Sequence, residues 1–292
     1  MAGERGRGAP GAALGDPASR GGITGCEAGD ARGRRRAVTD PRPGGMMASR
    51  RPLLAIDSST STATIAVGDG SRVLVEIAVD TPLPGSGRFP TRAGHSSTLL
   101  PTIDHALELA GLAPKQLGGV VVGAGPGSFT GIRIAAATAK GIVGALALPF
   151  FAYSSLLALA THAWASERFI CPLLDARGPD VYAATYRFDP GVVVVRSPVA
   201  ADIGVVTQEV AALPDAVCIG DGAMKHRAEL EAAGATVAPA LYRWPRAASL
   251  LWLADAAAEM GRVRDPPSWE PQYLRASGAE RIAAARSRGG DR

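Results

Sequence analysis

Residues 119–146, GVVVGAGPGSFTGIRIAAATAKGIVGAL, decide the fold of this chain. Gly119–Gly123 is predicted to form a short buried strand because it is apolar and bounded by glycines. A glycine-rich turn, Gly125 to Gly131, follows, and a nearly all-apolar helix then runs to about Leu146. A buried strand that leads through a tight turn into a helix is typical of α/β proteins. We therefore predict an α/β fold.

The preceding residues predict three strands and a helix. Leu53–Ile56 is a buried strand that ends in the polar turn Asp57-Ser58-Ser59-Thr60. The two following strands are joined through Gly68-Asp69-Gly70, a hairpin signal. The predicted strands are 62–67 and 73–79, and the predicted helix is 95–110, closed by Gly111. The stretch 81–94 between them is rich in proline and glycine and is predicted to be a mobile loop.

The second half of the chain repeats this pattern loosely. Strands are predicted at 169–174, 181–188, 192–196 and 217–220, with helices at 154–165, 221–233 and 246–260. Strands followed by alternating helices in both halves indicate two related α/β lobes. We predict lobes at 51–153 and 154–275, a disordered extension at 1–50 and a flexible tail at 276–292.

The charge of the chain is concentrated in its first residues. The total is +4, but the first 51 residues carry 10 arginines and only 5 acidic residues, so the remainder is close to neutral. This arginine- and glycine-rich segment has no apolar periodicity and is expected to be disordered. It could be an arm for nucleic acid around Arg34–Arg36, or an upstream translation if the natural start is Met46 or Met47. No signal peptide is visible, and the longest apolar run, 141–152, is too short to span a bilayer, so we expect a cytoplasmic protein without membrane contact.

Two turns resemble parts of a phosphate-binding site. A carboxylate and hydroxyls after a strand, together with glycines at a helix start, can hold a nucleotide phosphate. However, the first turn lacks a glycine and the second lacks a following lysine, so a purely structural role remains open. At most weak binding of ATP or ADP is expected, at a vestigial site formed by Asp57, Ser58, Ser59, Thr60, Gly125, Gly127 and Ser128.

A metal centre is not expected. His95 could pair with a second histidine four residues later on the same helical face, but that position is Leu99. The other histidines have no partner at this spacing. The three cysteines also lack short paired spacings, and we interpret Cys171 and Cys218 as buried structural thiols. No cofactor is predicted, and metal-dependent peptidase chemistry lacks ligands.

The two predicted helices of the first half carry more apolar surface than one sheet can cover. Burial within a large monomer is one explanation, and an exposed helix pair that docks onto a partner is the other. For the second explanation the candidate interface residues are His95, Leu99, Thr102, Ala106, Arg133, Ala136, Ala137, Lys140, Gly141 and Gly144. The same surface would favour a homodimer of the isolated chain.

Five stretches together resemble a known family. They are LAIDSST at 54–60, His95 before Leu99-Leu100-Pro101, GPGSFTGIR at 125–133, Asp175-Ala176-Arg177 before Val181-Tyr182, and PQYLR at 271–275. The chain from about Leu53 to Arg275 is similar to the TsaB family, accessory subunits of bacterial tRNA threonylcarbamoyladenosine synthesis. The GPGSFTGIR run is the most specific element.

The resemblance implies an actin/Hsp70-like fold with two lobes and a role as an inactive paralogue of the catalytic subunit TsaD. It further implies pairing with TsaD through the first two helices, participation of the ATPase TsaE, and indirect contact with tRNA, whose adenosine 37 is modified. Our leading hypothesis is therefore a non-catalytic scaffold that activates a TsaD-like subunit. The alternative is a free-standing ATPase or small-molecule kinase that uses Asp57 and the turn at Gly125–Ser128.

Overall fold

The computed structural model describes residues 51–80, 95–189 and 191–275, and for 95–97 only the backbone. The chain divides into two units, 1–46 and 47–292, and all described residues lie in the second. The predicted extension at 1–50, the predicted loop at 81–94 and the predicted tail at 276–292 lie outside the described residues.

Two mixed β-sheets form the framework. The first contains β1 (Leu53–Asp57), β2 (Thr62–Gly68), β3 (Val73–Asp80), β4 (Gly119–Gly123), β5 (Phe150–Tyr153) and β11 (Arg262–Val263). The second contains β6 (Ile170–Asp175), β7 (Asp180–Arg187), β8 (Val193–Asp202), β9 (Val217–Ile219) and β10 (Thr236–Val237). The predicted α/β class is confirmed.

The two sheets share one strand order. In the first it is β3-β2-β1-β4-β5, with the short β11 added beyond β5, and in the second it is β8-β7-β6-β9-β10. In each sheet the first strand pairs antiparallel with the second and parallel with the strand on its other side. The repeated topology confirms two related lobes. The late strand β11 pairs with β5, so the chain returns to the first sheet near its end.

Eight helices cover these sheets in the described part of the chain. They are α1 (His95–Leu109), α2 (Phe129–Leu146), α3 (Ser155–Ala160), α4 (Ile203–Ala211), α5 (Asp221–Lys225), α6 (Arg227–Ala232), α7 (Ala247–Ala256) and α8 (Ala258–Gly261). Most agree with the sequence prediction, but the predicted helix 221–233 is two short helices and 246–260 is also interrupted. Helix α4 was not predicted from the sequence, because the valines of Gly204-Val205-Val206 are typical of a strand. The N-terminus of this helix is capped by Asp202, whose carboxylate accepts a hydrogen bond from the Gly204 N–H.

Successive side chains of a strand point to opposite faces of its sheet, so the core lies in layers on the two sides of each sheet. Leu54 and Ile56 point to the face of the first sheet that α1 and α2 cover, whereas Ala55 points to the opposite face, with α7. Helices α3 and α7 belong to a central cluster that includes residues of both sheets. Val206 and Val210 of α4 pack on the outer face of the second sheet. Helices α1 and α2 therefore form the outermost layer of the first lobe.

The predicted strand–turn–helix unit at 119–146 is present in the structure. Strand β4 spans Gly119–Gly123, and α2 begins at Phe129, where the Ser128 hydroxyl accepts a hydrogen bond from the Gly131 N–H at 3.3 Å. At the other end Ala147 adopts a left-handed conformation and closes the helix. This helix is long and apolar enough to cross a membrane by length and composition alone, a test that core helices of soluble proteins also pass. Its inner residues pack on the first sheet.

Candidate functional site

The residues predicted as a vestigial nucleotide site lie together, at the carboxyl ends of β1 and β4. The turn that follows β1 is buried, with Asp57 fully inaccessible and Thr60 only 8 % exposed. It lies directly against the turn that precedes α2. The Ser128 N–H donates to the Ser59 carbonyl at 2.6 Å, and the Ser58 hydroxyl donates to the Gly131 carbonyl at 2.7 Å. We call these contacts between residues 57–60 and 125–131 the turn latch.

Asp57 is the polar centre of the turn latch. One carboxylate oxygen accepts hydrogen bonds from the Ser59 N–H at 2.9 Å and the Ser59 hydroxyl at 2.7 Å. The other accepts from the Ser155 hydroxyl at 2.6 Å, and this hydroxyl in turn accepts from the Gly125 N–H at 3.3 Å. Both oxygens therefore have protein partners. The geometry fixes the turns to each other and to the start of α3, and the carboxylate is turned inward rather than toward a ligand.

The glycines of this region allow the close approach. A Cβ added at Gly127 would overlap the Ser59 carbonyl, and one added at Gly131 would overlap the Ser58 carbonyl. A Cβ at Gly123 would overlap the Asp57 carboxylate. Gly127 and Gly131 are thus required by packing of backbone on backbone, and Gly123 by the close approach of the Asp57 side chain. The structural explanation that the sequence left open accounts for each of them.

The stability of the turn latch is expected to depend on pH, because Asp57 is buried. Burial raises the pKa of Asp57 above its usual 3.8, although hydrogen bonds from Ser155 and Ser59 oppose this. A carboxyl whose pKa rises on folding stabilises the fold below its ordinary pKa, and this contribution is lost as pH rises through the folded pKa. Relative to Asp57→Asn, we expect the free energy of unfolding of the parent to decrease as pH rises above 3.8. Urea unfolding of both proteins across a pH series measures this, and a parallel pH dependence of the two would contradict it.

The outer face of α2 is exposed and, apart from Arg133, composed of small residues. Arg133, Ala137, Gly141, Gly144 and Ala145 are exposed at helical spacing, and a Cβ at Gly141 or Gly144 would have no heavy atom within 4 Å. We call this set the α2 face. Lys140 lies half-buried at its edge, and its ammonium donates to the Trp269 carbonyl at 2.7 Å.

Three of the predicted interface residues lie elsewhere. Leu99 and Ala106 are 2 % and 0 % exposed, and both belong to the core between α1 and the first sheet. Ala136 is 5 % exposed. The prediction was wrong for these three residues, because α1 and α2 direct their side chains inward, where the protein itself covers them. Thr102 is half-buried and its hydroxyl donates to the Thr98 carbonyl at 2.7 Å. His95 begins α1, and its side chain lies outside the described atoms.

A segment near the end of the chain ties the two lobes together. The Gln272 N–H donates to the Ala124 carbonyl at 2.9 Å, and the Tyr273 ring lies 5.0 Å from that of Phe129 at the start of α2. Arg275 pairs with Asp180 of the second sheet at 2.9 Å and also donates to the Ala176 carbonyl. Sequence reasoning gave 271–275 no structural role. The available signal was an aromatic residue, Tyr273, close to a basic one, Arg275, but it does not identify their distant partners.

Within residues 51–80, 95–189 and 191–275 no group of three or more His, Cys, Asp or Glu side chains has the arrangement of a metal site. Cys171 and Cys218 are free and buried. They lie opposite each other on the parallel strands β6 and β9, in agreement with the structural interpretation of these thiols.

The duplicated sheet order and the two lobes define this protein as an α/β protein of the actin-like class, with a closed turn latch at the end of β1. Comparison with known families identifies it further. The family described as "TsaD: tRNA N6-adenosine threonylcarbamoyltransferase" matches residues 84–282, more than half of the chain. The chain belongs to this family, and its relatives place it among the TsaB-type members.

Similar curated proteins carry a consistent name. The chain is 33 % identical over 139 residues to the tRNA threonylcarbamoyladenosine biosynthesis protein TsaB of Bacillus subtilis, a match that covers 48 % of this chain and 56 % of that protein. It is 31 % identical over 171 residues to the protein of the same name from Haemophilus influenzae, covering 57 % and 63 %. The chain thus spans little more than half the length of these relatives.

Solved structures support the fold. A Pseudomonas aeruginosa protein described as uncharacterized, with similarity to the peptidase YeaZ, is 28 % identical, with a TM-score of 0.62. The match covers 77 % of this chain and 99 % of that chain. YeaZ from the same organism has a TM-score of 0.60 at 26 % identity, covering 76 % and 99 %.

Proposed function

We propose that this chain is a non-catalytic scaffold subunit that binds and activates a TsaD-like catalytic paralogue for threonylcarbamoyl transfer to adenosine 37 of tRNA. The relatives' printed names support a place in threonylcarbamoyladenosine biosynthesis. The observation that carries the scaffold role is the α2 face, an exposed surface of small residues on the outermost layer of the first lobe. Small side chains let a partner helix approach closely.

The surroundings of the α2 face support docking of a protein. On α1, the other helix of this outer layer, Leu100 and Leu109 are 53 % and 59 % exposed, so the layer leaves apolar surface open to solvent. The Arg133 guanidinium lies over the Phe129 ring, 5.0 Å from its centroid. Apolar and aromatic groups with an arginine are the composition that protein interfaces favour. The same face would join two copies when the partner is missing, and a TsaE-like ATPase would join the assembly of both subunits.

The closed turn latch supports the non-catalytic part of the proposal. A nucleotide-dependent enzyme would need the Asp57 carboxylate directed toward a metal-bound phosphate, but both of its oxygens are occupied by protein donors. The alternative of a free-standing ATPase or kinase would therefore require the latch to open. Micromolar ATP binding by the isolated chain, weakened in Asp57→Asn, would favour that alternative.

Placing a charge on the α2 face tests the scaffold proposal. We expect Gly141→Asp to weaken pairing with the TsaD-like protein of the same organism by about 30-fold or more, because a buried unpaired carboxylate costs about 2 kcal/mol or more at an interface. The fold should remain intact because a Cβ at this exposed position would have no heavy atom within 4 Å. Titration calorimetry of the purified proteins measures the affinity, and circular dichroism checks the fold.

The matched control is Ala211→Asp, an exposed position on α4 over the other sheet, which should pair like the parent. Transfer assays complete the test: the chain alone should be inert, and the partner should gain activity when the parent chain is added. If Gly141→Asp paired normally with the TsaD-like protein, the interface would have to lie elsewhere on the chain. Transfer by the chain alone would end the scaffold proposal.

A further inference from the structure

Residues 269–275 lead from the first lobe to the second without belonging to a helix or a strand. We call this segment the strap. Its last residue is Arg275, whose guanidinium pairs with the Asp180 carboxylate at 2.9 Å and donates to the Ala176 carbonyl. Asp180 is the first residue of β7 in the second sheet. The strap is therefore anchored in the second lobe, although it follows β11 of the first sheet.

Before it reaches this anchor, the strap runs along the flank of α2. The Lys140 ammonium donates to the Trp269 carbonyl at 2.7 Å and to the Glu270 carboxylate at 3.4 Å. At the start of the helix, the Tyr273 ring lies 5.0 Å from the Phe129 ring. These contacts span about 16 Å of the helix, at a rise of 1.5 Å per residue. Helix α2 is thus held by the first sheet on its inner side and by the strap at its flank.

A continuous series of contacts leads from the second sheet to the α2 face. Asp180 holds Arg275, and Tyr273 lies two residues before it. Tyr273 packs on Phe129, whose ring carries the Arg133 guanidinium 5.0 Å from its centroid. Arg133 belongs to the α2 face. Packed contacts of this kind can carry coupling between distant sites when an element among them has two arrangements. The strap, either docked or released, is such an element.

The ion pair at Arg275 is the strongest contact at this end of the strap. Tyr273 is 38 % exposed, so its packing on Phe129 buries only part of the ring. The backbone adds a hydrogen bond from the Gln272 N–H to the Ala124 carbonyl at 2.9 Å. Segments with few buried contacts open locally while the rest of the protein stays folded. Loss of the ion pair is therefore expected to release the strap without unfolding either lobe.

We propose that the strap couples the second lobe to the α2 face, so that the Arg275–Asp180 ion pair controls the affinity of this chain for its TsaD-like partner. Arg275 and Asp180 are then positioning residues that act through Tyr273 and Phe129. When the strap is released, the start of α2 and Arg133 lose their lateral support, and only molecules with a docked strap present the face that the partner binds. This inference rests on the proposed scaffold function and places a control of it in the other lobe.

A double-mutant cycle across the anchor tests the proposal. Titration calorimetry measures pairing of the full chain with the TsaD-like protein for Asp180→Ala, Arg275→Ala and the double variant. We expect each single variant to pair about 5-fold more weakly, which corresponds to a docked strap in about one molecule in five. The double variant should lose no more than either single variant, because all three lack the same contact.

Hydrogen exchange of the isolated chain reports on the strap without the partner. Exchange of the Gln272 N–H should become about 5-fold faster or more in both single variants, because its protection depends on the docked strap. Tyr273→Ala should weaken pairing to a similar extent, whereas Tyr273→Phe keeps the ring and should pair like the parent. Circular dichroism checks that each variant is folded.

Glu231→Ala is the matched control, because Glu231 pairs with Arg227 within α6 of the second lobe. Its pairing and its exchange at the strap should equal those of the parent. Normal pairing by Asp180→Ala and Arg275→Ala would overturn the coupling. Losses that add in the double variant would also overturn it, because Arg275 would then contact the partner itself. If the parent did not pair, the scaffold proposal would fail together with this one, whereas normal pairing by the parent and by both anchor variants would end the coupling alone.

Discussion

Replacing Asp57 by alanine is expected to lower the free energy of unfolding by about 3 kcal/mol or more, because buried donors lose their acceptor. The Ser59 N–H and the Ser155 hydroxyl both donate to this carboxylate in a fully buried setting. Each unpaired buried donor costs about 1–3 kcal/mol. Urea unfolding followed by circular dichroism measures the loss.

Asp57→Asn separates the structural role from a chemical one. The amide oxygen can still accept from Ser59, and its nitrogen can reach the Ser155 oxygen, so we expect a change within about 1 kcal/mol of the parent at neutral pH. Pairing with the TsaD-like subunit should survive in Asp57→Asn for the same reason. If the alanine variant were as stable as the parent, the turn latch would not be a determinant of the fold.

The second large effect is expected at Gly131, where a methyl group has no room. Gly131→Ala should lower the free energy of unfolding by about 2 kcal/mol. The new Cβ would overlap the Ser58 carbonyl, a backbone atom, so the cost lies at the upper end of the roughly 1–3 kcal/mol typical of overpacking. About 2 kcal/mol remains after the gain of about 1 kcal/mol in helix propensity. Because the overlapping atom belongs to the backbone, the steric clash can be relieved only if the two turns move apart.

Gly144→Ala in the same helix is the matched control. Its Cβ would meet nothing within 4 Å, so only the propensity gain remains, and we expect stabilisation by about 0.5–1 kcal/mol. Urea unfolding of both variants should show changes of opposite sign in the free energy of unfolding, a decrease for Gly131→Ala and an increase for Gly144→Ala. Equal effects would mean that the approach of the two turns is not fixed by Gly131.

The contacts of the glycine-rich turn give it a specific role. It starts α2 and fixes this helix against the end of β1, so that the outer side of α2 is presented at a defined position. The scaffold proposal depends on that placement, because a docking surface must be rigid before the partner arrives. Stability of the turn latch and affinity for the partner are therefore expected to be coupled, except where a substitution such as Gly141→Asp acts on the surface alone.

Much of the first lobe could be predicted because its signals are local. The apolar runs, the hairpin glycines and the serine before Phe129 determine elements through contacts within a few residues. The second lobe was predicted less well for the same reason: α4 contains valines typical of a strand, and its helical state depends on the Asp202 cap and on packing over β6 and β7. The helix predicted from residue 154 begins at Ser155, and Ser154 stands at its N-cap position, but the Ser154 hydroxyl makes no capping bond.

By itself the sequence determined the α/β class, the repeated pattern of two lobes, the position and length of α2, and the family resemblance, since these follow from periodicity, turn residues and short motifs. Only the tertiary structure decided which way each polar or apolar group points. It turned Asp57 inward onto Ser59 and Ser155, buried Leu99 and Ala106, left Gly141 open to solvent, and paired Arg275 with Asp180. Such pairings join residues far apart in the chain, and no local pattern specifies them.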